Sequence, residues 1–221
     1  MENVLVYKFG GASVRDVAAI RNLAGIVARY GRQQPLLVVV SAMGKTTNAL
    51  EELFQLAYSG QDYTAQLAQL STFHLSVAAE LGPTVEQPPA DAPQAPTLPE
   101  LLTQLADQLA TVGHGDYDRQ YDQIVSFGEL LATCIVATAI GAQWLDCRPL
   151  IRTDHTWREG RVDWATTERH IAAALPSLLA QGPVLTQGFL GARPAALPPR
   201  WAGKAPTTRR RFLPTACEPK A

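Results

Sequence analysis

Several short stretches carry residue types that could do chemistry. Lys8-Phe9-Gly10-Gly11-Ala12-Ser13-Val14 sets a mobile ammonium beside two glycines. Glycines in a strand-to-helix turn can present backbone N–H groups to an anion. With the lysine they suit a polyphosphate, whose transferring oxygens must be neutralised. A plain Gly-Gly turn with a solvated lysine is the competing reading. Ser41-Ala42-Met43-Gly44-Lys45-Thr46-Thr47 ends in Gly-Lys-Thr, but a P-loop would need glycine at position 39, which is Val39. Its hydroxyls can cap a helix or bind a carboxylate. In Ser126-Phe127-Gly128-Glu129, the glutamate precedes Leu130 and Leu131 at the head of an apolar run. A carboxylate in a first helical turn is favoured by the macrodipole, and it could also bind a substrate ammonium. Arg152-Thr153-Asp154 could bind a ligand or only close a loop with an ion pair. The four histidines show no ligand spacing, no Ser-His-Asp arrangement can be assigned, and no residue is assigned to a metal.

These stretches need elements to position them. Asn3–Phe9 reads as a buried strand, and Leu36–Val40 as an inner parallel strand. Between them Val14–Tyr30 has helical spacing, with Ser13 as its candidate N-cap. That spells a βαβ unit. Helices follow over Thr46–Ser59, Tyr63–Leu81, Leu98–Val112, Tyr121–Gly141 and Ala165–Gln181, and short strands over Ala142–Cys147, Leu150–Arg152 and Val184–Thr186. Residues 82–99 hold six prolines and read as an irregular exposed loop. The alternation predicts an α/β protein, a mainly parallel sheet sandwiched by helices. Ligands in such folds gather at the carboxyl ends of strands, where Lys8–Ser13, Ser41–Thr47, Arg152–Asp154 and Thr186–Gly191 are expected.

Of 221 residues, 47% are hydrophobic and 18% charged, so there is enough apolar surface for a core. The formal net charge of −1 argues against binding nucleic acid by bulk charge. That figure is a sum of unlike parts. Residues 1–192 hold 12 Lys/Arg against 19 Asp/Glu, a net of −7, and residues 193–221 hold 7 against one, a net of +6. Cys134, Cys147 and Cys217 form no CxxC, which disfavours a zinc site or a disulfide framework. No apolar run reaches the ~18 residues of a membrane span, and Met1-Glu2-Asn3 is no basic leader. A soluble cytoplasmic protein with no membrane partner is expected.

Taken together, the stretches resemble aspartate kinase, of the amino acid kinase superfamily. Lys8–Val14 resembles the family's K-F-G-G-[TS]-S-V opening, with Ala12 departing at one position. Val39–Asn48 is similar to V-V-S-A-…-T-N, Phe127–Leu131 to [HF]-G-E-L, and Thr186–Gly191 to T-Q-G-F-[IL]-G. Asp146 with Arg152-Thr153-Asp154 fits D-…-R-T-[ND], and order and spacing match over residues 2–192. The resemblance implies the amino acid kinase fold, here truncated at its nucleotide-binding half. It implies phosphorylation of the L-aspartate β-carboxylate with MgATP, the first step toward Lys, Thr, Met and Ile, in a homo-oligomer. Lys8 would touch the transferring phosphate, and Gly10, Gly11 and Ser13 would line the phosphates. Ser41 would lie near the reaction centre, while Thr47 and Glu129 bind aspartate, Glu129 taking its ammonium. Another relative, such as a glutamate or carbamate kinase, is the alternative, as is a non-catalytic binding or oligomerising fragment. The Phe127–Leu131 and Thr186–Gly191 blocks favour the aspartate branch.

Residues 193–221 do not continue the resemblance. The family proceeds with T-T-L-G-R-G-G-S-D-Y-[ST]-A, whose Arg and Asp belong to its active site, whereas this stretch is Pro- and Arg-rich. It can nevertheless be encoded by a string that, read two bases on, spells P-G-G-L-T-T-T-V-G-R-E-G-S-D-Y-T-A-A. Trp201 has a single codon and Lys204 only two, so synonymous choice alone hardly yields such a motif. The expectation is a frameshift near Ala192–Arg193, an interrupted nucleotide half, no regulatory ACT domain, and weak activity at best.

Overall fold

The computed structural model describes residues 4–31, 34–82, 95–113 and 115–192. The expectations for 193–221, and for 83–94 of the proline-rich stretch, lie outside the described residues. Four strands, β1 (Leu5–Phe9), β2 (Leu36–Val40), β3 (Gln143–Leu145) and β4 (Val184–Gln187), form one parallel sheet in the order β1-β2-β4-β3. Seven helices are described: α1 (Val17–Tyr30), α2 (Thr46–Tyr58), α3 (Thr64–Leu81), α4 (Leu98–Ala110), α5 (Tyr117–Val125), α6 (Phe127–Ile140) and α7 (Trp164–Leu179).

Strand alternation sorts the core onto two faces. Leu36, Val38 and Val40 join the large cluster that also takes Tyr7, Phe9 and residues of α1, α2, α4 and α6. Leu37 and Val184 pack instead with Leu175 and Leu179 of α7, alongside Val6 and Val39. Helices therefore cover both faces, as the sequence pattern predicts. α6 is buried on every side from Phe127 to Ala137. With α5 it makes a 24-residue helical stretch, Tyr117–Ile140, long and apolar enough by composition to cross a membrane. Within its most apolar window 83% is buried inside the fold, so this apolarity is accounted for by a central core position.

Local expectations are corrected in three places. Asp16, not Ser13, caps α1: its carboxylate accepts from the Ala19 N–H at 2.8 Å, while Ser13 sits in a short 3₁₀ turn, Gly11–Val14. The apolar run expected as one helix from Tyr121 divides at Ser126, and its first part starts earlier, at Tyr117. That start is set by the N-cap Asp116, whose carboxylate accepts from the Arg119 N–H at 3.1 Å, and the Tyr117 ring then packs edge-on against Phe54 and Tyr58 of α2, at 5.0 and 4.9 Å between centroids. Among the described residues Leu150–Arg152 forms no strand and shares a single bridge, Arg152 with Ala192. The end of the proline-rich stretch is helical: Pro99 lies in the first turn of α4, behind a capping box of Thr97 and Glu100.

Candidate functional site

The carboxyl ends of β1, β2 and β4 lie side by side and open into three loops. Lys8 pairs with Val39, and Val39 with Thr186, so lysine and threonine fall on one row across the sheet. Lys8 is exposed, and its Nζ lies 5.1 Å from the centroid of the Phe189 ring. Such a contact holds the ammonium loosely over the end of β4. Phe189 itself has φ 62, a left-handed conformation that costs a bulky residue energy and turns the chain sharply after Gly188.

The loops after β1 and β2 are joined backbone to backbone. Ser41 N–H donates to Phe9 C=O at 3.1 Å, and Gly44 N–H to Gly11 C=O at 3.1 Å. Gly11 is required here, because a Cβ would come within 2.8 Å of the Ala42 carbonyl oxygen. At Gly10 a Cβ would meet nothing within 4 Å, so that side of the turn is open. Ser13, with Phe9, Arg15, Asp16 and Asn22, lines a groove of about 420 Å³ beside α1.

The Ser41 loop and the head of α6, which bears Glu129, are brought together from distant sequence. Ser41 is buried, and its Oγ has no hydrogen-bond partner among the described residues. A methyl at Gly188 would sit 3.6 Å from that oxygen, which places Ser41 between the ends of β2 and β4. The N-terminus of α6 abuts the same loop, since a Cβ on Gly128 would come within 2.8 Å of the Ala42 Cβ. Glu129 follows at the third position of α6 and is 2% exposed, deeper than the core edge the sequence suggests. There the helix dipole favours its carboxylate.

Of the adjacent threonines, Thr46 is not available to a ligand and Thr47 is. Thr46 is buried, with Oγ1 3.3 Å from Nε2 of His74. The other ring nitrogen of His74 lies 2.8 Å from Leu70 C=O, so Nδ1 donates and Nε2 accepts. Burial holds the His74 pKa below its usual value, although the bond to Leu70 opposes this. Thr47 is half-buried on the first turn of α2, whose N-cap Lys45 makes no side-chain capping bond.

The other sequence candidates stand apart or act structurally. Asp146 is clasped by Arg148 in a two-point ion pair, with contacts of 2.6 to 3.0 Å. Asp154 accepts from Arg161 N–H and Thr156 N–H, both at 3.0 Å, and these bonds hold its carboxyl below the usual range. It closes a loop whose Arg158, at φ 59, is held by its N–H donating to the buried Asp122 at 2.7 Å. Cys134 and Cys147 are buried free thiols. Phe189 and His74 are the site neighbours that sequence reasoning missed. Phe189 lies in a quoted motif without a role, and His74 has no local signal.

A profile of the amino acid kinase family matches residues 3–200. The lysine-sensitive aspartokinase 3 of Escherichia coli (strain K12) is 30% identical over 196 residues, covering 86% of this chain and 41% of that protein. The chloroplastic aspartokinase 1 of Arabidopsis thaliana is 32% identical over 136 residues, 60% of this chain and 22% of its own length. The crystal structure of E. coli aspartokinase III in complex with aspartate and ADP superposes with a TM-score of 0.68 at 28% identity, over 86% of this chain and 42% of that one. The chain thus spans about two fifths of the length of the E. coli relative.

Proposed function

Since the chain belongs to the amino acid kinase family, we propose that it is the substrate-binding part of an aspartate kinase. The reaction is transfer of the γ-phosphoryl group of ATP to the β-carboxylate of L-aspartate, giving 4-phospho-L-aspartate, the first step toward Lys, Thr, Met and Ile. The observation that carries this reading is the convergence of Lys8, Ser41 and the head of α6, which bears Glu129, at the carboxyl end of the sheet. Phosphoryl transfer asks mainly for positioning and charge neutralisation, and these groups can supply both.

In this reading Glu129 accepts the substrate ammonium from a buried position, where a charge-assisted bond is strong. Thr47 and Ser41 offer hydroxyls to the substrate carboxylates. Lys8 leaves the Phe189 ring to meet the transferring phosphate. The open side of Gly10 leaves room for phosphate oxygens, with Gly11 and Ser13 completing the turn. Among the described residues no group of three or more His, Cys, Asp or Glu could hold a metal ion. Mg²⁺ would arrive on the nucleotide phosphates and neutralise charge there. A cytoplasmic homo-oligomer is part of the same proposal, as is an out-of-frame origin for residues 193–221. Sequencing the encoding DNA across Ala192–Arg193 tests the latter, and codons incompatible with the shifted frame refute it.

Titration calorimetry with L-aspartate tests the site, and coupled detection of aspartate-dependent ADP formation tests the reaction. Binding of L-aspartate and aspartate-dependent ADP formation are the expected results. A folded chain that binds no aspartate would sink the reading.

A further inference from the structure

We infer that Thr133 is the positioning residue that sets Glu129 at the substrate site, by tying α6 to two strands, β3 and β4, through one oxygen. The inference rests on the reading of Glu129 as the partner of the substrate ammonium.

Thr133 lies one turn beyond Glu129 on α6 and is fully buried. Its hydroxyl donates to the backbone C=O of Glu129 at 2.7 Å, with the Leu130 C=O a longer second acceptor at 3.2 Å. The same oxygen accepts from Trp144 Nε1 on β3 at 3.0 Å and from Gln187 Nε2 at the end of β4 at 3.2 Å. A hydroxyl has one proton and two acceptor positions, so Thr133 is used to capacity. Gln187 is itself oriented, because its Oε1 accepts from Cys147 N–H at 2.9 Å and turns Nε2 toward Thr133.

A helix that is apolar and buried all round has no preferred face, so burial alone does not set its roll or its height. A slip of one residue would turn α6 by about 100° and shift it by about 1.5 Å, carrying Glu129 away from Ser41. Directional hydrogen bonds in a low-dielectric interior remove that freedom. Four of them meet at Thr133, two from the strands and two within its own helix, and the shortest, to the Glu129 carbonyl, acts on the residue that matters.

The test compares Thr133→Val, which keeps the shape without the hydroxyl, with Thr133→Ser, which restores it. The full chain is titrated with L-aspartate and with succinate, which lacks the ammonium, and thermal unfolding is followed in parallel. Thr133→Val is expected to weaken L-aspartate binding about tenfold and succinate binding less than about twofold, and Thr133→Ser to recover most of the loss. A parallel loss for both ligands, or no loss, overturns the inference while leaving the site reading intact. A wild-type chain that does not prefer L-aspartate to succinate overturns both. Should Thr133→Val fail to fold, Trp144→Phe, which removes the indole N–H together with part of the ring, is expected to lower the aspartate preference about threefold; an unchanged preference refutes the inference.

Discussion

Adjacent glycines in the β1 turn should respond to alanine with opposite signs. At Gly11 the new Cβ would lie 2.8 Å from the Ala42 carbonyl oxygen, 3.4 Å from that of Gly44 and 3.5 Å from the Gly44 nitrogen. All three are backbone atoms, so no rotamer change relieves the clash. The loops would have to part, straining the Gly44-to-Gly11 hydrogen bond. Overpacking of this kind costs ~1–3 kcal/mol. Alanine also narrows the unfolded ensemble, which offsets ~0.4–1 kcal/mol, leaving a net loss. Gly10 has φ −79 and ψ 172, an extended conformation open to alanine, and its Cβ would meet nothing within 4 Å. Gly10→Ala should therefore gain ~0.4–1 kcal/mol. The two variants should differ by roughly 1–3 kcal/mol, which at an m-value of ~2 kcal/mol/M separates their urea midpoints by ~0.5–1.5 M. Midpoints within ~0.2 M of each other, or in reversed order, would refute the steric argument.

Glu129→Gln should weaken L-aspartate binding by ~10- to 100-fold in calorimetry while sparing succinate, since one charge-assisted bond is lost. His74 adds a pH dependence. Its folded pKa lies below the unfolded value because the neutral ring is the buried form, so its contribution is complete above that value and is lost as pH falls. The thermal midpoint should drop between about pH 7 and about pH 5, and His74→Leu should flatten that slope; an unchanged slope counts against the buried neutral ring. Burial pushes the Cys134 thiol up to about 11 and the Cys147 thiol higher still. Both should resist a thiol-specific reagent in the native chain and react on unfolding, as peptide mapping of the labelled sites would show.

Local patterns were enough for much of the frame. Leu36–Val40 is a strand with the bounds its apolar run predicts, and α2 and α3 begin within a residue of expectation. Short apolar runs, glycine turns and helical spacing act between near neighbours, so they are written in order along the chain. The absence of glycine at Val39 likewise disposed of a P-loop. Competition between neighbouring groups was less legible. Ser13 and Asp16 both have the chemistry of a cap, and only the path of the 3₁₀ turn decides for Asp16.

Sequence alone determined which residues have the chemistry for a site: Lys8 with its glycines, the Ser41–Thr47 hydroxyls and Glu129 at a helix head. Tertiary structure decided which of them meet. It turned Thr46 toward His74, set the Lys8 ammonium on Phe189, and placed Ser13 on a groove beside α1. It also joined Gln187 to Thr133 across 54 residues. Hydrogen bonds of this kind depend on directions fixed by the packed sheet and helices, and residue type and spacing carry no such directions.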